Sequence, residues 1–144
     1  MGTDSFSREN RSEIMSHIKS KNTKPEYVVR SALHKMGYRF RLHRRDLPGT
    51  PDIILPKYRI AIFVHGCFWH QHPGCKRATK PKQNAAYWEK KLTRNIERDQ
   101  KAQQALREMG WRVIVVWECR IDKEIEALLA ELLAEYIPSY TFIK

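Results

Sequence analysis

The chain has 144 residues, the length of a single ordinary domain. Apolar residues make up 42% of it, which is enough for a sizeable core and excludes wholesale disorder. Its 27 basic residues against 16 acidic ones give a formal net charge of +11. That charge favours a polyanionic partner, nucleic acid before membrane, over a protein that is merely basic.

Other features of the chain bear on where the protein works. No stretch approaches the roughly 20 apolar residues of a membrane-spanning helix, and residues 1–13 lack the hydrophobic segment of a signal peptide. The cysteines number three, and an odd number does not fit a secreted disulfide framework. We therefore expect a cytoplasmic protein without a membrane partner, built as a single domain over residues 1–144.

The first predicted elements are an arm and a capped helix. Residues 7–20 have the apolar spacing of a short, partly amphipathic helical arm. Thr23 can cap the next helix, and Glu26 completes a capping box with it. Gly37 should end this helix. Its buried face is expected to consist of Tyr27, Val28, Leu33 and Met36.

Four strands are predicted after this helix. Residues 38–43 alternate aromatic or apolar side chains with arginine, residues 52–55 follow a proline-rich turn, and residues 58–64 contain the apolar run of a central strand. The connection between the second and third strands is too short for a helix, so these two should form an antiparallel hairpin. The fourth strand, residues 111–117, is almost continuously apolar and should be buried on both faces.

Two helices complete the predicted fold. A long helix over residues 84–109 is capped by Gly110, and a final helix over residues 122–136 is stopped by Pro138. The inner stripe of the long helix is approximated by Trp88, Leu92, Ile96, Ala102, Leu106 and Met109. The element order α-β-β-β-α-β-α predicts an α/β fold class with a mixed central sheet flanked by helices.

The loop after the third strand contains groups that bind soft or borderline metal ions. Cys67, His72 and Cys75 lie within nine residues, and Cys119 comes directly after the last strand. Three thiolates and one imidazole match a closed, tetrahedral, structural zinc site, which leaves no coordination position for water. His70 is close enough in sequence to compete with His72 as the ligand. Unrelated buried thiols with surface histidines are the alternative interpretation.

Asp52 begins the second strand, so its carboxylate should lie at an end of the sheet. The hairpin would place it near the end of the third strand, at Val64 and His65. A carboxylate in such a position suits Mg²⁺, which takes one or two carboxylates together with phosphate and water. The alternative is an aspartate that only closes its turn by accepting backbone hydrogen bonds.

The sequence around these groups is similar to that of a known enzyme family. Restriction-type nucleases carry an aspartate on one strand of such a hairpin and Glu-x-Lys or Asp-x-Lys on the next, whereas residues 63–65 here are Phe-Val-His. With LPGTPD at residues 47–52 and HGCFWH at residues 65–70, the chain closely resembles the very short patch repair (Vsr) family of DNA mismatch endonucleases. The resemblance implies a restriction-endonuclease-like fold related to the PD-(D/E)xK nucleases.

The resemblance covers most of the chain. Its other matching segments are Arg11-Ser12, Met15 and residues 23–26, 87–88, 95–99, 110–113 and 117–119. One departure is the segment HPGC at residues 72–75, which is one residue longer before its cysteine than the family pattern. The C-terminal segment is also short.

The resemblance implies a magnesium-dependent nick in one DNA strand, beside the thymine of a thymine–guanine (T:G) mismatch. Asp52 would bind Mg²⁺ together with the backbone carbonyl of Val64, the scissile phosphate and waters. His70 would be the general base that activates water, and Asp99 would orient it.

Two more residues take roles from the same resemblance. His65 would contact the reacting phosphate or its leaving-group side, and Glu26 would hold a metal-bound water. Glu26 could also be only a capping-box residue, or serve both purposes. Asp99 could instead be an exposed partner of Arg98 or Lys101, an interaction worth only about 0–1 kcal/mol.

Phe68 and Trp69 are large aromatic residues in a loop of polar ligands, where they fit a wedge inserted between base steps. The resemblance extends this wedge to Trp88 and, from an N-terminal arm over residues 1–22, to Met15. Core packing is the alternative for Phe68 and Trp88. Phosphate contacts, or simply a solvated basic face, are expected of Arg39, Arg41, Arg44, Arg45, Lys76, Arg77, Lys80, Lys82, Lys90 and Arg94.

T:G mismatches arise when 5-methylcytosine deaminates, so the resemblance implies a functional link to a DNA cytosine methyltransferase and to the mismatch repair machinery. We expect a monomer that associates with the nucleoid when it binds DNA, with residues 23–137 as the catalytic core and residues 138–144 as a short tail. The rival hypotheses are a related nuclease with a different DNA substrate and a non-catalytic, zinc-stabilised DNA-binding module.

Overall fold

The structure of the protein is a computed structural model, and it describes residues 23–137. Within this range three helices and four strands form the regular structure. In chain order they are α1 (Lys24–Lys35), β1 (Arg41–Leu42), β2 (Ile53–Leu55), β3 (Ile60–His65), α2 (Ala85–Glu108), β4 (Arg112–Trp117) and α3 (Ile125–Ala134). The predicted arm with Met15 and the predicted tail lie outside the described residues. None of these three helices has both the length and the apolar content of a membrane span.

The four strands form one mixed sheet in the order β1-β2-β3-β4. Strands β2 and β3 pair antiparallel, which confirms the predicted hairpin, and β1 pairs antiparallel with β2. Strand β4 runs parallel to β3, and α2 makes the crossover that a parallel pair requires. The predicted α/β class with a mixed sheet is confirmed.

Alternate residues along the strands pack into two cores, one on each face of the sheet. Ile53 and Ile62 point into the first core, which α1 and α3 cover. Ile54 and Ala61 point into the second core, which Leu106 of α2 covers. The sheet is therefore the middle of three layers, and its ends remain open for functional side chains.

Helix α1 begins as predicted, but its buried face is different. Thr23 Oγ1 accepts a hydrogen bond from the backbone N–H of Glu26 at 3.3 Å. The prediction that Tyr27 is buried is wrong, because its side chain is 54% exposed. The helix stripe that faces the sheet contains Glu26 and Leu33, both buried, and Tyr27 is rotated about 100° away from Glu26.

The predicted first strand and the predicted hairpin connection are both altered. The strand expected over residues 38–43 shortens to Arg41–Leu42, because Tyr38 turns into the first core and is only 7% exposed. Between β2 and β3 the chain forms one turn of 3-10 helix at Pro56–Tyr58 instead of the short irregular connection that was predicted. Arg59 leaves this turn with a left-handed φ of 53°. Neither change disturbs the pairing of β2 with β3.

The two later helices keep their predicted places with small changes at the ends. Met109 is not part of the inner stripe of α2, because it forms the C-cap and is 47% exposed. Helix α3 begins at Ile125 rather than at Asp122. Asp122 Oδ1 accepts a hydrogen bond from the backbone N–H of Glu124 at 2.8 Å, and this local turn replaces the first predicted helical residues.

Candidate active site and metal centre

Asp52 and Val64 meet where β2 begins and β3 ends. The antiparallel register pairs Ile53 with Ile62, so the residue before β2 lies beside the last residues of β3. The backbone N–H of Val64 donates to Asp52 Oδ2 at 2.7 Å. The Asp52 carboxylate therefore bonds to the neighbouring strand, which the turn-closing interpretation did not predict.

The Asp52 carboxylate lies in surroundings that disfavour its charge. Burial is the main cause that raises its pKa from 3.8 to about 7, and the nearby carboxylate of Glu26 raises it further. The Val64 N–H and the Arg30 guanidinium act in the opposite direction. Two carboxylates held together in this way are a natural place for a divalent cation, because its charge offsets both.

Glu26 lies at the centre of a small network of charged groups. Its side chain is buried, at 1% exposure, and forms an ion pair with Arg30 one helical turn later. His43 Nε2 lies 2.8 Å from Glu26 Oε2. The backbone N–H of Glu26 thus contributes to the helix cap, while its side chain turns to Arg30 and His43 beside Asp52.

His43 was not selected from the sequence as a candidate site residue. Strands β1 and β2 pair Leu42 with Ile53, which places His43 next to Asp52, and the His43 N–H donates to the Asp52 carbonyl at 3.1 Å. The ligand atoms of Glu26, His43 and Asp52 lie within 4.8 Å of one another. The sequence did contain a signal for His43. It ends the predicted first strand, and pairing that strand with the second would have placed it beside Asp52.

His70 and Asp99 form a hydrogen-bonded pair beside this site. His70 Nδ1 lies 2.6 Å from Asp99 Oδ2, so the carboxylate orients the imidazole through that nitrogen. A proton on Nδ1 leaves the lone pair of Nε2 available to accept a proton. Among the described residues the ion pair of Asp99 is with His70, and not with Arg98 or Lys101 as in the alternative interpretation.

His65 lies beneath His70 and connects it to the strand that carries Val64. The two imidazole rings are stacked, with centroids 3.8 Å apart and planes 4° apart. Burial is the main cause that lowers the pKa of His65 to about 3, and repulsion from His70 adds to it. His65 is therefore neutral at physiological pH, and a contact with phosphate would use a neutral imidazole. A continuous path of contacts runs from Asp52 through Val64 and His65 to His70.

The parallel pairing of β3 and β4 brings distant cysteines together. His65 lies opposite Trp117, and Cys67 and Cys119 each follow two residues later. His72 Nδ1 lies 3.7 Å from Cys67 Sγ and 3.4 Å from Cys119 Sγ. Neighbouring N and S ligands of a tetrahedral zinc ion are expected about 3.5 Å apart, given bond lengths of about 2.0 and 2.3 Å.

Cys75 completes this cluster, and all four ligand atoms lie within 4.8 Å of one another. Of the two competing histidines, His72 lies beside the thiols and His70 does not. The His72 ring is stacked on Trp117, with centroids 4.2 Å apart, and its backbone N–H donates to the Cys67 carbonyl at 2.9 Å. The four residues thus have the donor set and the spacing that a structural Zn²⁺ requires.

The predicted wedge residues form an aromatic cluster at the same end of the sheet. The ring centroid of Phe68 lies 5.1 Å from that of Trp69 and 5.6 Å from that of Trp88. All three side chains are partly exposed, and the two buried cores of residues 23–137 contain none of them. Asn95 of α2 donates from Nδ2 to the Trp69 carbonyl at 3.0 Å and fixes the loop. The core-packing interpretation is therefore not supported.

The predicted phosphate-contacting residues are mostly exposed. Arg44 is different, since its guanidinium forms two hydrogen bonds of 2.6 Å to the carboxylate of Asp46. The remaining nine of the set lie on the surface of the described residues, and Arg77 forms a long ion pair with Glu118. An electropositive surface thus accompanies the clustered polar groups.

The chain is similar to several known DNA endonucleases. The family model of the DNA mismatch endonuclease Vsr matches residues 3–77. The chain is 53% identical to the type II nicking enzyme V.XorIIP of Xanthomonas oryzae pv. oryzae over 130 residues, which are 90% of this chain and 94% of the relative. It is 45% identical to the type II nicking enzyme V.NmeAIP of Neisseria meningitidis over 122 residues, 85% of this chain and 86% of that one.

A third relative is the DNA mismatch endonuclease Vsr of Escherichia coli, which is 38% identical over 137 residues, covering 93% of this chain and 87% of the relative. The fold, the clustered site and these relatives define the protein as a DNA endonuclease. The chain belongs to the Vsr family, which confirms the resemblance found in its motifs.

Proposed function

We propose that the protein nicks one strand of duplex DNA beside the thymine of a T:G mismatch, with a divalent cation at Asp52, and so initiates very short patch repair. The observation that carries this proposal is the path of contacts from Asp52 through Val64 and His65 to the His70–Asp99 pair. Along this path Asp52, the proposed cation ligand, and His70, the proposed general base, lie at the end of an antiparallel hairpin. The fold would then be restriction-endonuclease-like.

The residues at Asp52 fit Mg²⁺, because the buried carboxylate of Glu26 and the half-buried carboxylate of Asp52 lie close together, and a cation would offset the burial and repulsion that raise the pKa of Asp52. Asp52 and the Val64 carbonyl would hold the ion, and Glu26 would hold one of its waters. When bound, Mg²⁺ supplies Lewis-acid stabilisation of the charge that develops on the phosphate. His65, neutral and stacked on His70, would contact the phosphate or leaving-group side.

His70 would take a proton from the attacking water at Nε2, while Asp99 holds the Nδ1 proton. The pair resembles other His–carboxylate arrangements in which the acid fixes the tautomer of the base. The rigid stacking on His65 limits rotation of the imidazole.

Replacement of Asp99 by asparagine tests this arrangement. We expect the single-turnover rate of nicking to fall by about 10²–10³-fold, because the imidazole loses its orienting acceptor. DNA affinity should change little. Glu97→Gln, an exposed acid on the same helix, is the matched control and should cut at the original rate. A loss of less than threefold in Asp99→Asn would remove Asp99 from the catalytic pair.

A structural Zn²⁺ bound by Cys67, His72, Cys75 and Cys119 would fix the loop to the ends of β3 and β4. The spacing of the four donors supports this assignment. The loop between the first two ligands carries His70 together with the wedge residues Phe68 and Trp69. Zinc would therefore act on catalysis indirectly, by holding these side chains in place.

The partly exposed aromatic cluster supports the wedge role of Phe68, Trp69 and Trp88, with Met15 contributing from the arm. We expect Trp69→Ala to lower the preference for a T:G duplex over a matched duplex by about tenfold or more, since base–aromatic stacking is worth about 1–3 kcal/mol. Binding constants for both duplexes measure this. Tyr87→Ala, an exposed aromatic at the edge of the cluster, is the control. Equal losses on both duplexes would indicate a packing role.

The experiment that tests the function compares cleavage of two end-labelled duplexes that differ only by T:G in place of C:G. Each is prepared as a pool with randomised flanking bases, with and without EDTA, so that an unmet flanking preference cannot hide the activity. A single Mg²⁺-dependent nick beside the thymine supports the proposal. Equal cutting of both pools would favour the related nuclease, and tight binding without a nick would favour the binding module.

The biological setting of the proposal follows from its substrate. Deamination of 5-methylcytosine creates the mismatch, so the protein would act in the cytoplasm, on nucleoid DNA, alongside a DNA cytosine methyltransferase and the mismatch repair machinery. We propose that it acts as a monomer, because one copy of the chain already contains every candidate site residue.

A further inference from the structure

The cluster of Glu26, His43 and Asp52 contains a nitrogen donor that the proposed magnesium site does not use. We propose that His43 supplies a nitrogen ligand to the divalent-cation site at Asp52, and that the site therefore favours a first-row transition ion, with Mn²⁺ as the probe. This inference rests on the proposed function, because it concerns the same cation site. It assigns the imidazole a role that an all-oxygen Mg²⁺ site lacks.

The distances within the cluster suit shared coordination. His43 Nε2 lies 2.8 Å from Glu26 Oε2, and all three ligand atoms lie within 4.8 Å of one another. Neighbouring ligands of an octahedral ion with bonds of about 2.1–2.2 Å are separated by about 3.0 Å. A small movement that opens the His43–Glu26 contact would let the ion bind His43 Nε2 directly, while Glu26 holds one of its waters.

The backbone holds His43 at this place. Its N–H donates to the Asp52 carbonyl at 3.1 Å, and its φ of 47° lies in the left-handed region, which is uncommon for a histidine. Its side chain is 19% exposed, so it is not a freely rotating surface residue. Strained backbone conformations of this kind are concentrated at functional sites.

The charges of the cluster also fit a divalent cation. With both carboxylates ionised, Arg30 offsets one of their two negative charges and leaves −1 on these three groups. A divalent ion changes this to +1, which suits the approach of a DNA phosphate. In the 2.8 Å contact with the Glu26 carboxylate Nε2 is the donor, so ion binding would require the proton to be on Nδ1, which frees the Nε2 lone pair. Carboxylates accept both Mg²⁺ and Mn²⁺, whereas an imidazole ligand adds affinity chiefly for transition ions.

The test measures Mn²⁺ and Mg²⁺ affinities of the zinc-loaded protein by calorimetry. The variants are His43→Gln, which keeps a donor near Glu26, and His43→Asn, whose backbone tolerates a left-handed φ. We expect both to lower the ratio of Mn²⁺ to Mg²⁺ affinity by about tenfold or more. His34→Gln, an exposed histidine on α1, should leave this ratio unchanged. An unchanged ratio in both His43 variants would overturn the inference.

A second readout is independent of activity and of affinity. Electron spin-echo modulation of bound Mn²⁺ should show coupling to an imidazole ¹⁴N in the original protein, and that coupling should disappear in both His43 variants while Mn²⁺ stays bound. Absence of the coupling, or its persistence in the variants, would overturn the inference. Asp52→Asn distinguishes the two proposals. If Mn²⁺ affinity is unchanged in Asp52→Asn, the cation site itself is contradicted. If Mn²⁺ binding requires Asp52 but the spectrum shows no ¹⁴N coupling, only the role of His43 is contradicted.

Discussion

Replacing Asp52 with asparagine is expected to reduce Mg²⁺-dependent nicking by about a thousandfold or more. The carboxylate is the proposed anionic ligand of the ion, and Lewis-acid stabilisation worth several kcal/mol corresponds to such a factor at about 1.4 kcal/mol per tenfold change in rate. Single-turnover cleavage of the T:G duplex with saturating enzyme measures it. Asp46→Asn changes an exposed aspartate in the same region and should leave the rate unchanged. Cleavage within tenfold of the original rate would remove Asp52 from the site.

The same substitution should stabilise the fold in Mg²⁺-free buffer. Burial raises the pKa of Asp52 from 3.8 to about 7, so between these pH values the folded chain holds a proton that the unfolded chain has released. The contribution of Asp52 to the free energy of unfolding therefore falls as pH rises from about 4 to about 7. The amide of the Asp52→Asn variant is uncharged at every pH, so it does not lose stability in this way as pH rises.

We therefore expect Asp52→Asn to unfold at higher urea concentration than the original protein at pH 8, by about 2–4 kcal/mol, and to match it near pH 4. Mg²⁺ should reduce this difference in the free energy of unfolding at pH 8, because it stabilises only the original protein. Chemical denaturation at both pH values checks this. An asparagine variant that is less stable at pH 8 would show that the carboxylate contributes more to the fold than its burial costs.

The second large effect is expected from Cys119→Ser. Structural zinc in small domains contributes an apparent free energy of about 10–16 kcal/mol to folding, and a three-ligand remnant binds it much more weakly. We expect loss of zinc during purification and a fall in the free energy of unfolding of several kcal/mol. Zinc content by plasma mass spectrometry and thermal unfolding measure the two effects.

Arg120→Ser is the matched control for Cys119→Ser, because it introduces the same side chain at the next exposed position. It should keep one zinc ion per chain and the original unfolding temperature. In the original protein all three thiols should react with a thiol reagent only after a chelator is added. One zinc ion retained at full affinity in Cys119→Ser would contradict the four-ligand site.

Much of the fold followed from local pattern. The short connection between β2 and β3 predicted the hairpin, and this hairpin alone placed Asp52 beside Val64. The apolar run of β4 predicted its burial, and the position of Cys119 directly after that strand indicated that it joins the other cysteines and His72. These features depend on neighbours in sequence or on the fixed geometry of paired strands, which is why the chain reveals them.

The parts that the sequence did not reveal depend on pairing across longer distances. The partnership of His43 with Glu26 requires β1 to pair with β2, and β1 is only the two residues Arg41–Leu42. The exposure of Tyr27 depends on which side of α1 meets the sheet. The choice of His72 over His70 depended on the path of the loop, which the stacking of His72 on Trp117 fixes. Spacing in the chain does not determine any of these.

Helix α2 holds two consecutive loop residues with two side chains that lie one turn apart. Asn95 binds the Trp69 carbonyl and Asp99 binds the His70 imidazole. One turn of an α-helix is stiff and has a fixed rise of about 5.4 Å, so the two anchor points keep a constant separation. A force that displaces Trp69 is therefore passed to His70 through a single peptide unit and a single helix. If Trp69 stacks on bases and His70 accepts the proton, as proposed, a distortion of the base stack would shift the proton acceptor directly, and an extra residue between Trp69 and His70 would uncouple the two.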